Sequence, residues 1–248
     1  MKSMKKVIIA LLFLSSFTAV SQESVLLRVN YTKGDKYVVK VEQKQNMGIQ
    51  GGSNLTMTMN MLIGEVNGKT FKTESKITSI LMYMMQGGQT MSFDSSKKAE
   101  DLDQMGQLLK SQFDPMMKVS IVVTINELGE NIDVKVVPAI PGTEALAEQS
   151  SSISYPKEKV SVGSTWTSDD DNQGLKTNMT YKVAKIENGS VYLDITGKIS
   201  GISEGTAKGY SKIDIKTGSQ VSSEIEMTIT SAGTTMKSSS KTTLDKVK

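Results

Sequence analysis

Residues 55–68, LTMTMNMLIGEVNG, decide how this chain folds. Leu55, Met57, Met59, Met61 and Ile63 alternate with Thr56, Thr58 and Asn60, so an extended backbone puts the apolar set on one face and the polar set on the other. A helix would scatter both sets around its axis. Asn67-Gly68 ends the run, and Asn-Gly is a strong hairpin signal because a type I′ turn needs positive φ at both central residues. Upstream of Gly51-Gly52, Tyr37, Val39 and Val41 alternate with Lys36, Lys40 and Glu42 in the same way. The chain therefore meanders.

Working outward, a further strand is expected over about 69–80, with a pause at Gly87-Gly88. The period then changes. Leu102, Met105, Leu108, Leu109, Phe113 and Met116 recur at spacings of three and four, predicting one amphipathic helix over 97–117. Its first turn is acidic at Glu100, Asp101 and Asp103, and Pro115 kinks or ends it. Strands resume with Val119, Ile121, Val123 and Ile125, turn near Gly129, and continue through Ile132, Val134 and Val136. Pro138 and Pro141 break the pattern, and a short helix is expected over 143–149.

The remainder reads as strand again: 175–186, a turn at Asn188-Gly189, 191–202, 210–215, a turn at Thr217-Gly218, 221–230, and a polar last strand ending near Leu244. Laid over residues 55–66, the stretch from Leu175 pairs Met59 with Met179, Met61 with Tyr181 and Ile63 with Val183. Two related β halves and a chance likeness of alternating hairpins both explain this. The organisation predicted is a leader over 1–21, an N-terminal β half over 22–137, a helix and linker over 138–162, and a C-terminal β half over 163–248. The fold class is mainly β: a large curved antiparallel sheet or half-barrel with one amphipathic and one short helix.

Lys2, Lys5 and Lys6 precede an apolar run from Val7 to Phe17, and Ala19-Val20-Ser21 has small residues where a signal peptidase cuts. Cleavage near Ser21/Gln22 and a periplasmic or secreted location are expected. The three leader lysines account for the whole excess of 29 basic over 26 acidic residues. Without them the charge is balanced, which removes the case for nucleic acid as a partner. There is no cysteine, hence no disulfide, no thiolate ligand and no lipidated cysteine. An outer-membrane barrel would want aromatic girdles, and lysine and glutamate spread through these strands argue against one.

Catalysis has little to work with. The sequence lacks histidine as well as cysteine, which removes the commonest general base and the readiest nucleophile. Glu224 and Glu226 share a strand face, a spacing that alternation produces by itself. We expect no enzyme, no catalytic residue and no cofactor. Methionine clusters suit copper(I), yet neighbours on one strand face stand about 6.5–7 Å apart and cannot close a shell alone. No metal site is expected there, nor in the acidic loop of Asp169, Asp170, Asp171 and Asn172, which lacks a calcium-loop pattern. Trp166 reads as a core anchor.

That leaves binding. Met57, Met59, Met61, Met179, Tyr181 and Met227 would line a concave sheet face and hold an apolar ligand such as an acyl chain, lipid or lipidated peptide. The alternative is a solid core and a protein–protein interaction module of the cell envelope, using the serine- and threonine-rich stretch 228–243 as an open strand edge.

The leader, the strand-rich halves, KVSVGSTW at 159–166 after Tyr155-Pro156, and YSKIDIKTG at 210–218 together resemble an uncharacterised family of exported Bacteroidota proteins, a domain of unknown function. This resemblance implies no catalytic residues. At fold level the chain is similar to periplasmic lipoprotein carriers, which implies a curved half-barrel cradling acyl chains, with the helices over 97–117 and 143–149 as its lid.

Overall fold

The computed structural model describes residues 23–48, 51–143, 145–148, 153–172, 174–231 and 233–247. The leader expected over 1–21 lies outside them. The first half contains β1 (Ser24–Val25), β2 (Lys36–Asn46), β3 (Gly51–Asn67), β4 (Thr70–Gln86), β5 (Gln89–Asp94), α1 (Gln104–Met117), β6 (Ser120–Asn126) and β7 (Asn131–Val137). A helical turn, α2 (Ala145–Glu148), leads to β8 (Val160–Ser161), β9 (Thr165–Asn172), β10 (Leu175–Glu187), β11 (Ser190–Gly201), β12 (Glu204–Asp214), β13 (Gln220–Ser231) and β14 (Thr234–Lys246).

All long strands form one antiparallel sheet in the order β7-β6-β4-β3-β2-β14-β13-β12-β11-β10-β9, with β5 sharing the β4 edge beyond β6. It does not close into a barrel. The two halves meet where β2 pairs β14, Tyr37 opposite Lys246 through Asn46 opposite Lys237. Residues 228–243 therefore do not form an edge, as their polar character suggested. β13 and β14 are paired on both sides at the centre of the sheet. Nor is 169–172 a loop: it belongs to the edge strand β9, where Asp171 lies opposite Lys176 and Asn178 donates to Asp169 at 2.6 Å. Cross-strand pairing turns a solvated acidic run into a charged edge.

The two Asn-Gly sites differ. Asn188 and Gly189 both have positive φ, 50° and 70°, as a type I′ turn requires. At the other site only Gly68 does, and Asn67 pairs with Thr70, so the loop is Gly68-Lys69. β4 runs on to Gln86 and hairpins into β5, which the Gly87-Gly88 pause conceals in the sequence. Helix α1 starts at Gln104 because the Asp103 carboxylate caps it, accepting from the Gly106 N–H at 2.7 Å. Residues 99–101 form a separate 3₁₀ turn. Pro115 sits within the last turn of α1.

Neighbouring strands stand about 4.8 Å apart, so β6 and β11, seven steps apart, would be separated by roughly 34 Å in a flat sheet. Instead Phe71 and Ile125 share one buried cluster with Val183, Leu193, Ile195 and Ile213. The sheet curls. Bulges in the β3–β4, β10–β11 and β12–β13 ladders add twist. On β12, Gly205 and Gly209 lie so close to the β13 backbone at Thr228 and Glu224 that neither has space for a Cβ.

Two segments cross the curled end and fill this cluster with Leu27, Val29, Ile153, Tyr155 and Val160. They act as a strap. The Val29 N–H donates to Glu127 in the β6–β7 turn, and the Asn30 N–H donates to Thr217 in the β12–β13 turn, both at 2.8 Å. The Arg28 guanidinium donates to the carbonyls of Pro156 and Lys157 at 2.8 and 2.6 Å, joining the two segments. The Tyr155 hydroxyl donates to Gly218 O at 2.8 Å. A second cluster lies in the first half, where Leu109 and Phe113 of α1 pack on Ile77, Ile80 and Phe93, the two phenyl rings stacked at 5.4 Å.

Burial holds the phenol groups of Tyr31, Tyr155 and Tyr181 above the ordinary tyrosine value of 10.0, and burial followed by the nearby Asp35 carboxylate does the same for Tyr37. A raised folded pKa favours the folded state fully below the unfolded value, and the benefit drains as pH rises above it. In an alkaline titration, tyrosinate absorbance from these residues is expected to appear only together with loss of the far-UV strand signal. Complete ionisation with that signal intact would contradict the assignment.

Candidate binding face

Residues directly opposite in a ladder share a face, so the register fixes what each side of the sheet carries. One row runs Trp166, Tyr181, Ile195, Gly209, Ile225, Ser240, Gln43, Leu55, Met82, Phe93 from β9 to β5. The next begins Ser168, Met179, Gly197, Ala207, Met227, Ser238, Gln45, Ser53 and ends at Met84 and Met91. On the other side of the first row, Met57 lies opposite Val41 and Ile80, with Met59 and Met61 further along β3.

All six methionine and tyrosine positions singled out in the sequence therefore lie on one face. They do not all meet in one place. Met57 and Met59 pack against the α1 cluster, whereas Met179 and Tyr181 belong to the strap cluster. Met61 is half-buried opposite Tyr37, and Met227 lies between the two clusters opposite Ala207 and Ser238. Trp166 anchors structure as expected: it stacks on Tyr181 at 5.5 Å and donates from Nε1 to Ser154 O at 2.9 Å.

This face is almost free of charge. Lys36, Lys40, Glu42 and Lys44 of β2, Lys72, Glu74 and Lys76 of β4, and Lys237 and Lys241 of β14 all fall on the reverse face. So do Glu224 and Glu226, the first accepting from the Tyr210 hydroxyl at 2.8 Å and the second paired with Lys208 at 3.0 Å. On the methionine face the ladders place only Asp170, at the β9 edge, and Lys246, which is bound to Asp35 at 2.6 Å.

Cover over this face is partial. Helix α1 lies against β4 and β5, and the strap lies over β10 to β12 and the β3–β4 and β6–β7 turns. Between them, on β13, β14, β2 and β3, Ile225, Met227, Val41, Val39, Leu55 and Met57 remain half-buried. Alternation along β2 continues past Val41 to Gln43 and Gln45, so the same face also carries amides and, from β14, the hydroxyls of Ser238, Ser240 and Thr242. The sequence reading misses Gln43 and Gln45, although the alternation of Val39 and Val41 leads directly to them, and Ser238, Ser240 and Thr242 belong to the stretch 228–243 that reads as an open edge.

Two recesses carry mainly reverse-face residues. One of about 560 Å³, at the strand ends near Gly48 and Gly51, is lined by Lys44, Asn54, Tyr83, Met85, Glu226 and Lys237 together with Gln45, Ser53, Met227 and Ser238 of the methionine face. The other, about 1180 Å³, is bounded by Asp169, Asp171, Lys176, Lys198, Glu204 and Thr206. Both have linings of mixed charge. Among the described residues no three Asp, Glu, His or Cys side chains are grouped to hold a metal ion, and no helix is long and apolar enough to cross a membrane.

Residues 142–248 match a family described as a family of unknown function, DUF6263. The motifs at 159–166 and 210–218 both lie within that stretch. No curated protein matches the chain. Among solved structures, one titled for lipid–protein interactions in lipovitellin is similar with a TM-score of 0.57 at 12% identity, over 88% of this chain and 26% of that one. The chain thus spans about a quarter of that protein, and the likeness concerns the fold. A crystal structure described as an outer membrane lipoprotein-sorting protein domain from Vibrio parahaemolyticus matches at 10% identity over 85% of each chain, but its TM-score of 0.21 carries no argument.

Proposed function

We propose that this protein is an exported, non-enzymatic envelope protein that binds an apolar ligand, an acyl chain or lipid or lipidated peptide, on the methionine face of its sheet. The observation that carries this reading is the half-covered, uncharged strip from β13 to β3, where Met227, Val39 and Val41 lie between the two packed clusters and Ile225, Leu55 and Met57 at their borders, all half-buried. An apolar ligand would complete that cover. Methionine suits such a surface because its unbranched thioether adapts to irregular shapes.

Burying about fourteen methylenes at about 0.8 kcal/mol each, less an association cost near the lower end of about 4–15 kcal/mol, leaves roughly micromolar affinity. The leader read over 1–21 supports residence in the periplasm or release from the cell. The fold likeness to a structure titled for lipid–protein interactions supports the ligand class and no particular lipid.

Native mass spectrometry of protein purified from its own compartment is expected to show adducts of lipid mass. N-phenyl-1-naphthylamine, an uncharged apolar fluorophore, is expected to brighten on binding with micromolar affinity. Bare protein together with an unchanged fluorophore would refute the reading.

A further inference from the structure

We propose that the ligand is an amphiphile whose head is uncharged and carries ester and hydroxyl groups. This rests on the binding face assigned above and specifies what lies over its centre. Gln43 is opposite Ser240, Gln45 is opposite Ser238, and Thr242 is opposite Val41, so two amides and three hydroxyls form one patch across β2 and β14. None of these side chains hydrogen-bonds within the described residues, and none of their polar atoms is sealed from solvent. The patch is flanked by Leu55 on one side and by Ile225 and Met227 on the other.

An amide or hydroxyl both donates and accepts, which matches an ester carbonyl and free hydroxyls at once. An ionised head has nothing to pair with there. Lys246 lies about 20 Å along the strand direction from Gln43, six residues on in the Tyr37 register, and is already held by Asp35. The β2 and β14 lysines project from the opposite side of the sheet. A carboxylate or ammonium over the patch would lose water without gaining a counter-charge, whereas a neutral head exchanges water for protein partners.

The test displaces N-phenyl-1-naphthylamine from the full-length mature protein with three twelve-carbon amphiphiles below their micelle concentrations: 1-monolaurin, laurate in alkaline buffer, and dodecyltrimethylammonium. Monolaurin is expected to compete at about tenfold lower concentration than either ion, a gap equivalent to about 1.4 kcal/mol. In Gln43→Leu/Gln45→Leu the fluorophore should still bind while monolaurin's advantage shrinks to about twofold. Ser240→Ala/Thr242→Val repeats the test on β14 should the first pair fail to fold. Laurate or the ammonium competing as well as monolaurin, or an undiminished advantage in a folded variant, overturns the neutral-head proposal while leaving apolar binding intact. Failure of the fluorophore to bind wild type overturns both.

Discussion

Gly218→Val is expected to remove roughly 4 kcal/mol or more of unfolding free energy, a large share of the ~5–15 kcal/mol typical of a domain. Gly218 has φ +63°, and a Cβ there would overlap the Arg28 carbonyl and the following peptide nitrogen. Neither side can yield cheaply. The Asn30 N–H is tied to Thr217 O, the Gly218 carbonyl accepts from the buried Tyr155 hydroxyl, and Arg28 holds the second strap segment through Pro156 and Lys157. A side chain at 218 therefore forces the strap off the β12–β13 turn and opens the cluster around Leu27 and Ile213. The control is Gly189→Ala. Gly189 has similar φ, +70°, but nothing within 4 Å, so only the backbone preference is lost, about 1 kcal/mol. Urea unfolding followed by the fluorescence of Trp166, the sole tryptophan, measures both. Equal losses for the two variants would show that the strap contributes nothing particular.

Met227→Glu is expected to weaken binding of N-phenyl-1-naphthylamine about a hundredfold, because the ligand would desolvate a carboxylate whose side of the sheet carries one lysine, Lys246, already bound to Asp35. Met227 is half-buried and stands between the two packed clusters, so the folded state should lose little. Glu226→Met provides the reverse-face control. It breaks an exposed pair with Lys208, an interaction worth about 0–1 kcal/mol, and should leave affinity unchanged. Fluorescence titration of the two variants reads the difference. Equal affinity in wild type and Met227→Glu would remove the methionine face as the binding surface.

Alternation made most of the strands legible, since a half-buried sheet imposes period two wherever one face is apolar. The rule failed where the physics is not local. β9 looks like a loop because three aspartates are poor strand formers, and only its pairing with Lys176 and Asn178 makes the strand. Residues 228–243 look like an exposed edge because they lack aliphatic alternation. They are central because the inner face there is itself polar, as Ser238, Ser240 and Thr242 show. No periodicity announces that β2 pairs β14, nor that residues 24–31 become a strap, because both depend on contacts between distant parts of the chain. The methionines were visible as a set, and their common face follows from the ladders. Their division between two clusters depends on where α1 and the strap lie, which alternation does not encode.

Joining the first long strand to the last has a cost in time. As the polypeptide is made amino end first, β2 to β7 can assemble with one flank of β2 bare, because its mate β14 follows every other described strand. Until then the nascent molecule offers an unclaimed row of amides and carbonyls beside an incomplete greasy surface, the combination that invites aggregation. Contacts of such long sequence separation slow folding. Newly made molecules thus face a vulnerable interval that ends only on arrival of β14, and escorts that shield exposed strand flanks would matter most in that window.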